Sequence, residues 1–183
     1  INDTLDFGKI TATRHANGRD WWVVVNEFYS NKSYTILLSP DGISVIREQE
    51  IGEPLSSGLG QACFSPDGRI YVNVSLTGEG DDAAYIYDFD RATGQLSNQR
   101  IIPLEGDLVS AGIAISPNSR YCYISAYLNI LQVDLLADDL YESMDTVATY
   151  DGYEAPIPGT EGLSLATVFF MAQLAPNGKI YLN

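Results

Sequence analysis

Apolar and polar residues alternate along short stretches of this chain, and the stretches come in pairs joined by tight turns. The turns lie at Asn17-Gly18, Asp67-Gly68, Asn118-Ser119 and Asn177-Gly178, so the pattern recurs at intervals of 50, 51 and 59 residues. Alternation with a period of two predicts β-strands, and Asn-Gly or Asp-Gly between two such runs predicts hairpins. A repeat of this length, with about four strands in each copy, predicts the blades of a β-propeller.

The second copy shows the plan of one blade most clearly. Residues 61–65 form a small, apolar run that suits a crowded innermost strand, and Pro66-Asp67-Gly68 then turns the chain. Residues 69–76, 84–89 and 96–104 predict three further strands, of which the last is the most polar, as an exposed edge should be. The unit is therefore a four-stranded antiparallel sheet, and the fold class is all-β.

On this plan, residues 1–183 form a single partial β-propeller domain. The predicted divisions are about 9–52 for blade 1, 60–105 for blade 2, 109–150 for blade 3, 151–167 for a connector and 168–183 for the start of blade 4. About three and a half blades are present, whereas a propeller closes with roughly four to eight. The sequence therefore predicts part of a seven- or eight-bladed propeller, completed by further sequence or by another copy of the chain.

Composition narrows the range of partners. Hydrophobic residues make up 45% of the chain, and no apolar run approaches the roughly 20 residues of a membrane helix. The chain carries 24 acidic and 10 basic residues, and its net charge of -14 argues against nucleic acid and anionic membrane surfaces. We therefore expect no nucleic-acid partner and no membrane insertion.

Two cysteines do not form a disulfide framework. Cys63 is predicted on the inner strand of blade 2 and Cys122 on the second strand of blade 3, with another strand between them. That separation exceeds the reach of a disulfide, so free buried thiols are expected.

Several stretches resemble one group of known proteins. Residues 8–24 (GKITATRHANGRDWWVV), 87–90 (YDFD), 93–98 (TGQLSN) and 174–181 (LAPNGKIY) are similar to blades of large secreted or cell-surface propellers of Bacteroidetes, of the type associated with type IX secretion and gliding motility. The similarity covers nearly the whole chain. It implies an exported or cell-surface protein in which other blades precede this region, with adhesion-like modules and a sorting domain after it.

A weaker resemblance is to lactonase-type and YVTN propellers. It rests on residues 65–72 (SPDGRIYV), a hairpin that is common to many propellers and carries no activity by itself.

Side chains that recur at equivalent positions of the repeat are best explained by turn geometry. They are Ser39, Ser65, Ser116, Asp41, Asp67 and the turn glycines. Asp88 and Asp134 end equivalent third strands, and we expect their carboxylates to cap local backbone N–H groups. Candidate chemistry therefore belongs to residues that occur once.

His15 is the only histidine, so any Ser-His-Asp or Cys-His mechanism within this segment would require it. It directly precedes a turn, and a histidine that is hydrogen-bonded to that turn is the simpler interpretation. One imidazole does not make a zinc site of the usual kind, so no metal site is assigned. His15 is thus the single candidate catalytic residue.

Loops between second and third strands are predicted on the same rim as the connectors between blades. The candidate ligand-binding residues of this rim are Glu79, Asp81, Asp82, Tyr127, Asp151, Tyr153 and Glu154. Its carboxylates could hold Ca²⁺ or receive a basic partner, and its tyrosines could stack on sugars. A solvated acidic surface is the simpler alternative.

Two functions from different classes follow. The first is a non-enzymatic extracellular or cell-surface propeller that serves as a binding or assembly scaffold for a protein or a glycan. The alternative is a hydrolase or lactonase whose active site is shared with blades outside this segment.

Overall fold

The computed structural model describes residues 1–6, 8–56, 59–75, 82–104 and 112–182. Within these ranges every regular element is a β-strand, and no helix is long and apolar enough to cross a membrane. The candidate residues Glu79 and Asp81 lie outside the described residues.

Three four-stranded antiparallel sheets occur in the described part of the chain, each with its strands in sequence order. Sheet 1 comprises β1 (Thr11–Arg14), β2 (Trp21–Asn26), β3 (Lys32–Ser39) and β4 (Gly42–Glu50). Sheet 2 comprises β5 (Ala62–Phe64), β6 (Ile70–Ser75), β7 (Ala83–Asp90) and β8 (Gln95–Pro103). Sheet 3 comprises β9 (Gly112–Ile115), β10 (Tyr121–Ala126), β11 (Asn129–Asp134) and β12 (Asp145–Thr149). The predicted all-β class with four-stranded antiparallel sheets is confirmed.

Two hairpins follow the third sheet. They are β13 (Glu154–Pro156) with β14 (Ser164–Ala166), and β15 (Ala172–Leu174) with β16 (Ile180–Leu182). The first hairpin falls within residues 151–167, where the sequence predicts only a connector. Its strands are three residues long and lie between prolines and glycines, so they leave no readable alternation.

The hydrophobic core lies between successive sheets. Trp22 and Val24 of sheet 1 pack against Tyr71, Tyr87 and Phe89 of sheet 2. A second cluster joins sheets 2 and 3 and includes Val72, Val74, Ile113, Ile115 and Cys122. Alternation along β2 places Trp22 in this core, 2% exposed, and Trp21 on the opposite face, 41% exposed. One ring of the Trp pair therefore faces a sheet-to-sheet core.

The three sheets and the β15–β16 hairpin are the four units of the repeat. Their innermost strands are β1, β5, β9 and β15, and each of these strands contacts the next one along the chain. Gln61 links three of them through its carboxamide. Its Oε1 accepts a hydrogen bond from the Ile113 N–H at 3.0 Å, and its Nε2 donates to the Ala172 carbonyl at 3.0 Å. Each such bond satisfies a backbone group at a strand edge.

The recurring serines act as turn elements, as predicted. Ser65 Oγ donates to Asp67 and accepts from the Ile70 N–H, and Ser116 Oγ makes the equivalent bonds to Asn118 and Tyr121. These hydrogen bonds stabilise the two hairpin turns, so turn structure explains why a serine recurs at this position.

Of the two third-strand aspartates, only one caps its own turn. Asp134 accepts a hydrogen bond from the Leu136 N–H at 3.1 Å, as predicted. Asp88 instead accepts from the side chains of Asn98 and Arg100 on the neighbouring strand. Its partners are set by the register between β7 and β8, which local sequence does not determine.

Both cysteines are free thiols, which confirms the sequence prediction. Cys122 is buried and Cys63 is partly buried beside the second core cluster. Burial raises the pKa of Cys63 to about 12 and the pKa of Cys122 well above its usual value. Both thiols are therefore protonated at neutral pH and poor nucleophiles.

Candidate functional site

A groove of about 860 Å³ runs along the innermost strands of all four units. Its lining includes four alanines, of which Ala12, Ala62 and Ala172 lie at equivalent places five residues before their turns, while Ala114 lies one residue later in its strand. In the described part of the chain, β1, β5, β9 and β15 each pair with a strand on one edge, so their other edges face the groove. The site therefore offers small side chains and backbone polar groups, together with larger side chains such as Trp21, Phe64 and Met171.

We call one end of the groove the turn end. It is the end at which four hairpin turns lie: β1–β2, β5–β6, β9–β10 and β15–β16. Here the Arg14 guanidinium lies over the ring of Trp21, 5.4 Å from its centre, in a cation–π contact. Arg91 donates to the Arg14 carbonyl at 2.8 Å and to the Asp67 carbonyl at 3.1 Å. Arg91 thus ties the turns of sheets 1 and 2 together at the mouth of the groove.

The opposite end, where the chain passes between sheets, is called the connector end, and it holds a buried ion pair. Lys9 Nζ lies 3.0 Å from Asp6 Oδ2, both side chains are 0% exposed, and the ammonium also donates to Ser75 Oγ. Burial lowers the pKa of Lys9, and the Asp6 carboxylate acts in the opposite direction. The sequence pattern did not predict this pair.

Further buried polar groups join sheets 1 and 2 at this end. Asn26 Oδ1 accepts hydrogen bonds from Tyr71 Oη at 2.6 Å and from Asn73 Nδ2 at 3.0 Å. Asn26 Nδ2 donates to Ser33 Oγ at 2.7 Å. Burial raises the pKa of Tyr71, so its hydroxyl remains a donor to Asn26. These hydrogen bonds join the polar side chains of the two sheets, which favours a structural role, while Asn73 Oδ1 has no hydrogen-bond partner among the described residues.

His15 lies beside the turn end. Its Nδ1 accepts a hydrogen bond from the Asn17 N–H at 2.9 Å, and the centre of its ring lies 5.5 Å from a ring centre of Trp22. This is the turn-bonded histidine that the sequence favours. Within the described residues, the lining of the groove does not include His15.

Four of the predicted rim residues come together at the connector end of sheet 3. Asp151 Oδ1 accepts from the Tyr153 N–H at 2.9 Å, Glu154 accepts from Ser164, and Tyr127 forms a bridge with Phe169. Tyr150 lies among them: burial and the nearby carboxylates of Glu154 and Asp151 raise its pKa.

Asp82 is not exposed on this rim. It is 4% exposed, and its carbonyl accepts a hydrogen bond from the Leu104 N–H at 2.8 Å where the chain enters β7. The expectation of an exposed ligand at Asp82 is therefore wrong, because the pairing of β7 with β8 draws this residue inward. Among the described residues no group of three or more His, Cys, Asp or Glu is placed to hold a metal ion.

Acid is expected to weaken the turns. Asp20, Asp90 and Asp134 have pKa values below the ordinary 3.8, mainly because of hydrogen bonds from Arg19, from the Ala92 N–H and from Arg120 respectively. A lowered pKa in the folded state stabilises it above the ordinary value, and this stabilisation is lost as the pH falls through the lowered values. We expect a lower urea midpoint at pH 3 than at pH 6, and equal midpoints would contradict this.

No protein-family model matches the chain, and no curated protein matches it. Several solved structures do. A proposed 6-phosphogluconolactonase from Bacteroides uniformis matches with a TM-score of 0.56 at 16% identity, over 94% of this chain and 46% of that one. A second protein with the same proposed activity, from Bacteroides fragilis, has a TM-score of 0.50 at 14% identity, over 75% and 37%.

The PQQ domain of pyranose dehydrogenase from Coprinopsis cinerea gives a TM-score of 0.53 at 13% identity, over 99% of this chain and 51% of that one. At such identities the likeness shows the fold alone: the chain is a β-propeller. It spans about half or less of the length of each of these structures.

Proposed function

We propose that this protein is a non-enzymatic binding propeller, exported or held at the cell surface, that takes a polar ligand in the groove along its inner strands. The observation that carries the proposal is the groove itself, which all four units line. The ligand class is a glycan or an extended segment of a protein partner.

The groove suits such a ligand for two reasons. Its volume of about 860 Å³ lies within the range of roughly 300–1,000 Å³ that is usual for ligand sites. Its strand edges offer backbone donors and acceptors, which hydroxyl-rich sugars and peptide backbones can use without requiring a particular side chain. The alanines of the floor leave these groups accessible.

The alternative is a hydrolase or lactonase whose active site includes residues outside this segment. What favours it is the proposed lactonase activity of the two Bacteroides proteins with a similar fold. In this chain it would depend on His15, whose Nδ1 is already engaged by the Asn17 N–H. A lactonase assay on δ-gluconolactone with the parent and with His15→Ala separates the two functions: turnover that is lost in the variant would favour the enzyme.

Filling the groove is expected to abolish binding. Ala12 and Gln173 are exposed residues of its lining, and Ala12→Trp or Gln173→Trp would place an indole where the ligand lies. Affinity electrophoresis through gels that contain a polysaccharide panel identifies the bound glycan, and we expect each variant to lose about tenfold or more in affinity, equivalent to about 1.4 kcal/mol.

The matched control is Ser44→Trp, an exposed position on the outer strand β4. It adds the same indole away from the groove and should bind like the parent. Parent-like binding by both groove variants would remove the groove from the proposal.

Export to the cell surface is also a proposal, and it rests on the resemblance to secreted Bacteroidetes propellers. Brief protease treatment of intact producing cells should degrade the protein while a cytoplasmic marker survives. Protection equal to that of the marker would contradict a surface location.

A further inference from the structure

A basic side chain follows the inner turn of every unit. The residues, here called the basic row, are Arg19, Arg69, Arg120 and Lys179, each directly after the second residue of its turn. All four are exposed. Repetition at one cation per unit places them at equivalent positions along the turn end of the groove.

The turns that carry the basic row touch one another. The Asp67 N–H donates to Ser119 Oγ at 3.2 Å, which joins the turns of sheets 2 and 3. A Cβ at Gly178 would lie 3.6 Å from Pro117, so the turn of the last hairpin borders that of sheet 3. With Arg91 joining the first two turns, the four cations lie on one continuous surface.

Stability of the fold does not explain the recurrence. Arg19 pairs with Asp20 and Arg120 with Asp134, both at 2.7 Å. Among the described residues, however, Arg69 and Lys179 take part in no ion pair. Two members of the row therefore have a charged group that makes no ion pair in the described part of the chain, although Arg69 lies near enough to Asp67 to help lower the pKa of that carboxyl.

The distribution of charge supports a role in binding. The chain has a net charge of -14, yet six of its ten basic residues lie on or beside the inner turns: Arg14 and Arg91, which line the groove, and the four members of the basic row. This end also holds five carboxylates that accept hydrogen bonds within the protein: Asp20, Asp67, Asp88, Asp90 and Asp134. Cations concentrated at one mouth of a groove in an acidic protein attract an anionic ligand to that mouth.

We propose that the basic row binds a polyanionic glycan, with carboxylate or sulfate groups, laid across the turn end of the groove. The inference rests on the proposed function, because the row borders the groove. One cation per unit matches a polymer that carries an anion at regular intervals. The guanidinium group of Arg69 suits carboxylate and sulfate, since it can donate two parallel hydrogen bonds.

The test uses the 183-residue chain with three polysaccharides: polygalacturonate for carboxylate, dextran sulfate for sulfate and pullulan as a neutral chain. We expect at least one anionic polymer, and not pullulan, to retard the protein in affinity gels. The interaction should weaken as salt rises from 50 to 300 mM, in accordance with screening. Whichever anionic polymer binds more tightly identifies the preferred group.

The variants Arg69→Gln and Lys179→Gln remove the two charges that form no described ion pair. Each should weaken binding about fivefold, and the double variant by about thirtyfold, if each exposed contact contributes about 1 kcal/mol. Arg47→Gln is the matched control, because it removes one exposed arginine from the outer strand β4. It should bind within about twofold of the parent if screening limits the effect of distant charges.

Three results would overturn the inference: equal losses in Arg47→Gln and Arg69→Gln, binding to pullulan as tight as to both polyanions, or tighter binding to single-stranded DNA than to either glycan. The groove variants separate this outcome from the proposed function. In one outcome, Ala12→Trp and Gln173→Trp leave polyanion binding intact while Arg69→Gln weakens it. That result would reject the groove as the binding site and support the basic row. The reverse pattern retains the groove and rejects the row.

Discussion

Replacing Lys9 with methionine is expected to lower the free energy of unfolding by about 3–5 kcal/mol, the usual loss when one partner of a buried ion pair is removed. The ammonium lies 3.0 Å from the Asp6 carboxylate, and neither side chain is exposed. Methionine retains the length and the apolar stem of lysine but removes the charge that offsets the buried carboxylate. Urea unfolding followed by tryptophan fluorescence measures the loss, since Trp22 lies in the adjoining core.

Lys32→Met is the matched control for this prediction. Its ammonium also pairs with a carboxylate, that of Asp3 at 3.1 Å, but both side chains are partly exposed and solvent screens the pair. We expect a much smaller change in the urea midpoint. In Lys9→Met with Asp6→Leu, both charges are gone, and much of the lost stability should return. Equal effects at Lys9 and Lys32 would show that the buried pair does not stabilise the fold.

Gly112→Ala is expected to cost about 3 kcal/mol, at the upper end of the usual range for overpacking. A Cβ at this position would lie 2.5 Å from the Ala172 nitrogen and 2.6 Å from Ser125 Oγ, and it would also overlap the Phe170 carbonyl. Two of these three atoms belong to the backbone, so a side-chain rotation cannot relieve the overlap. The segment that leads into β15 must move away from β9.

Hydrogen exchange locates this effect as well as measuring it. In Gly112→Ala, amides of β15 and β16 should exchange faster than in the parent, while those of sheets 1 and 2 should change little. Gly42→Ala is the control, because a Cβ there meets nothing within 4 Å and only the φ of +105° strains the backbone. It should cost about 1 kcal/mol. Similar losses and similar exchange in both variants would contradict the close packing of β9 on β15.

The strands were predictable because their signals are local. Ile70, Val72 and Val74 alternate with polar or small partners, and Pro66-Asp67-Gly68 stops the strand before them. Such signals require only the geometry of neighbouring residues. The hairpin of β13 and β14 had no comparable signal, because three-residue strands do not reveal a period.

The candidate site was predicted only in part. Tyr127, Asp151, Tyr153 and Glu154 do gather at the connector end of sheet 3, since a shared loop position brings them there. The groove was not predicted, although three of the four inner strands carry an alanine at an equivalent place, Ala12, Ala62 and Ala172. Its floor is made of residues about 50 positions apart in the chain, and only the arrangement of the sheets around an axis makes them neighbours.

The sequence alone determined the strand period, the turns, the order of strands within each sheet and the four-fold recurrence of a basic residue after a turn. These features depend on contacts between residues close in the chain. The tertiary structure decided that Lys9 and Asp82 are buried, that Gln61 links three strands, and that the basic row lies along one mouth of a groove. Those outcomes depend on packing between sheets, where burial and long-range hydrogen bonds, rather than local backbone preference, set the position of each side chain.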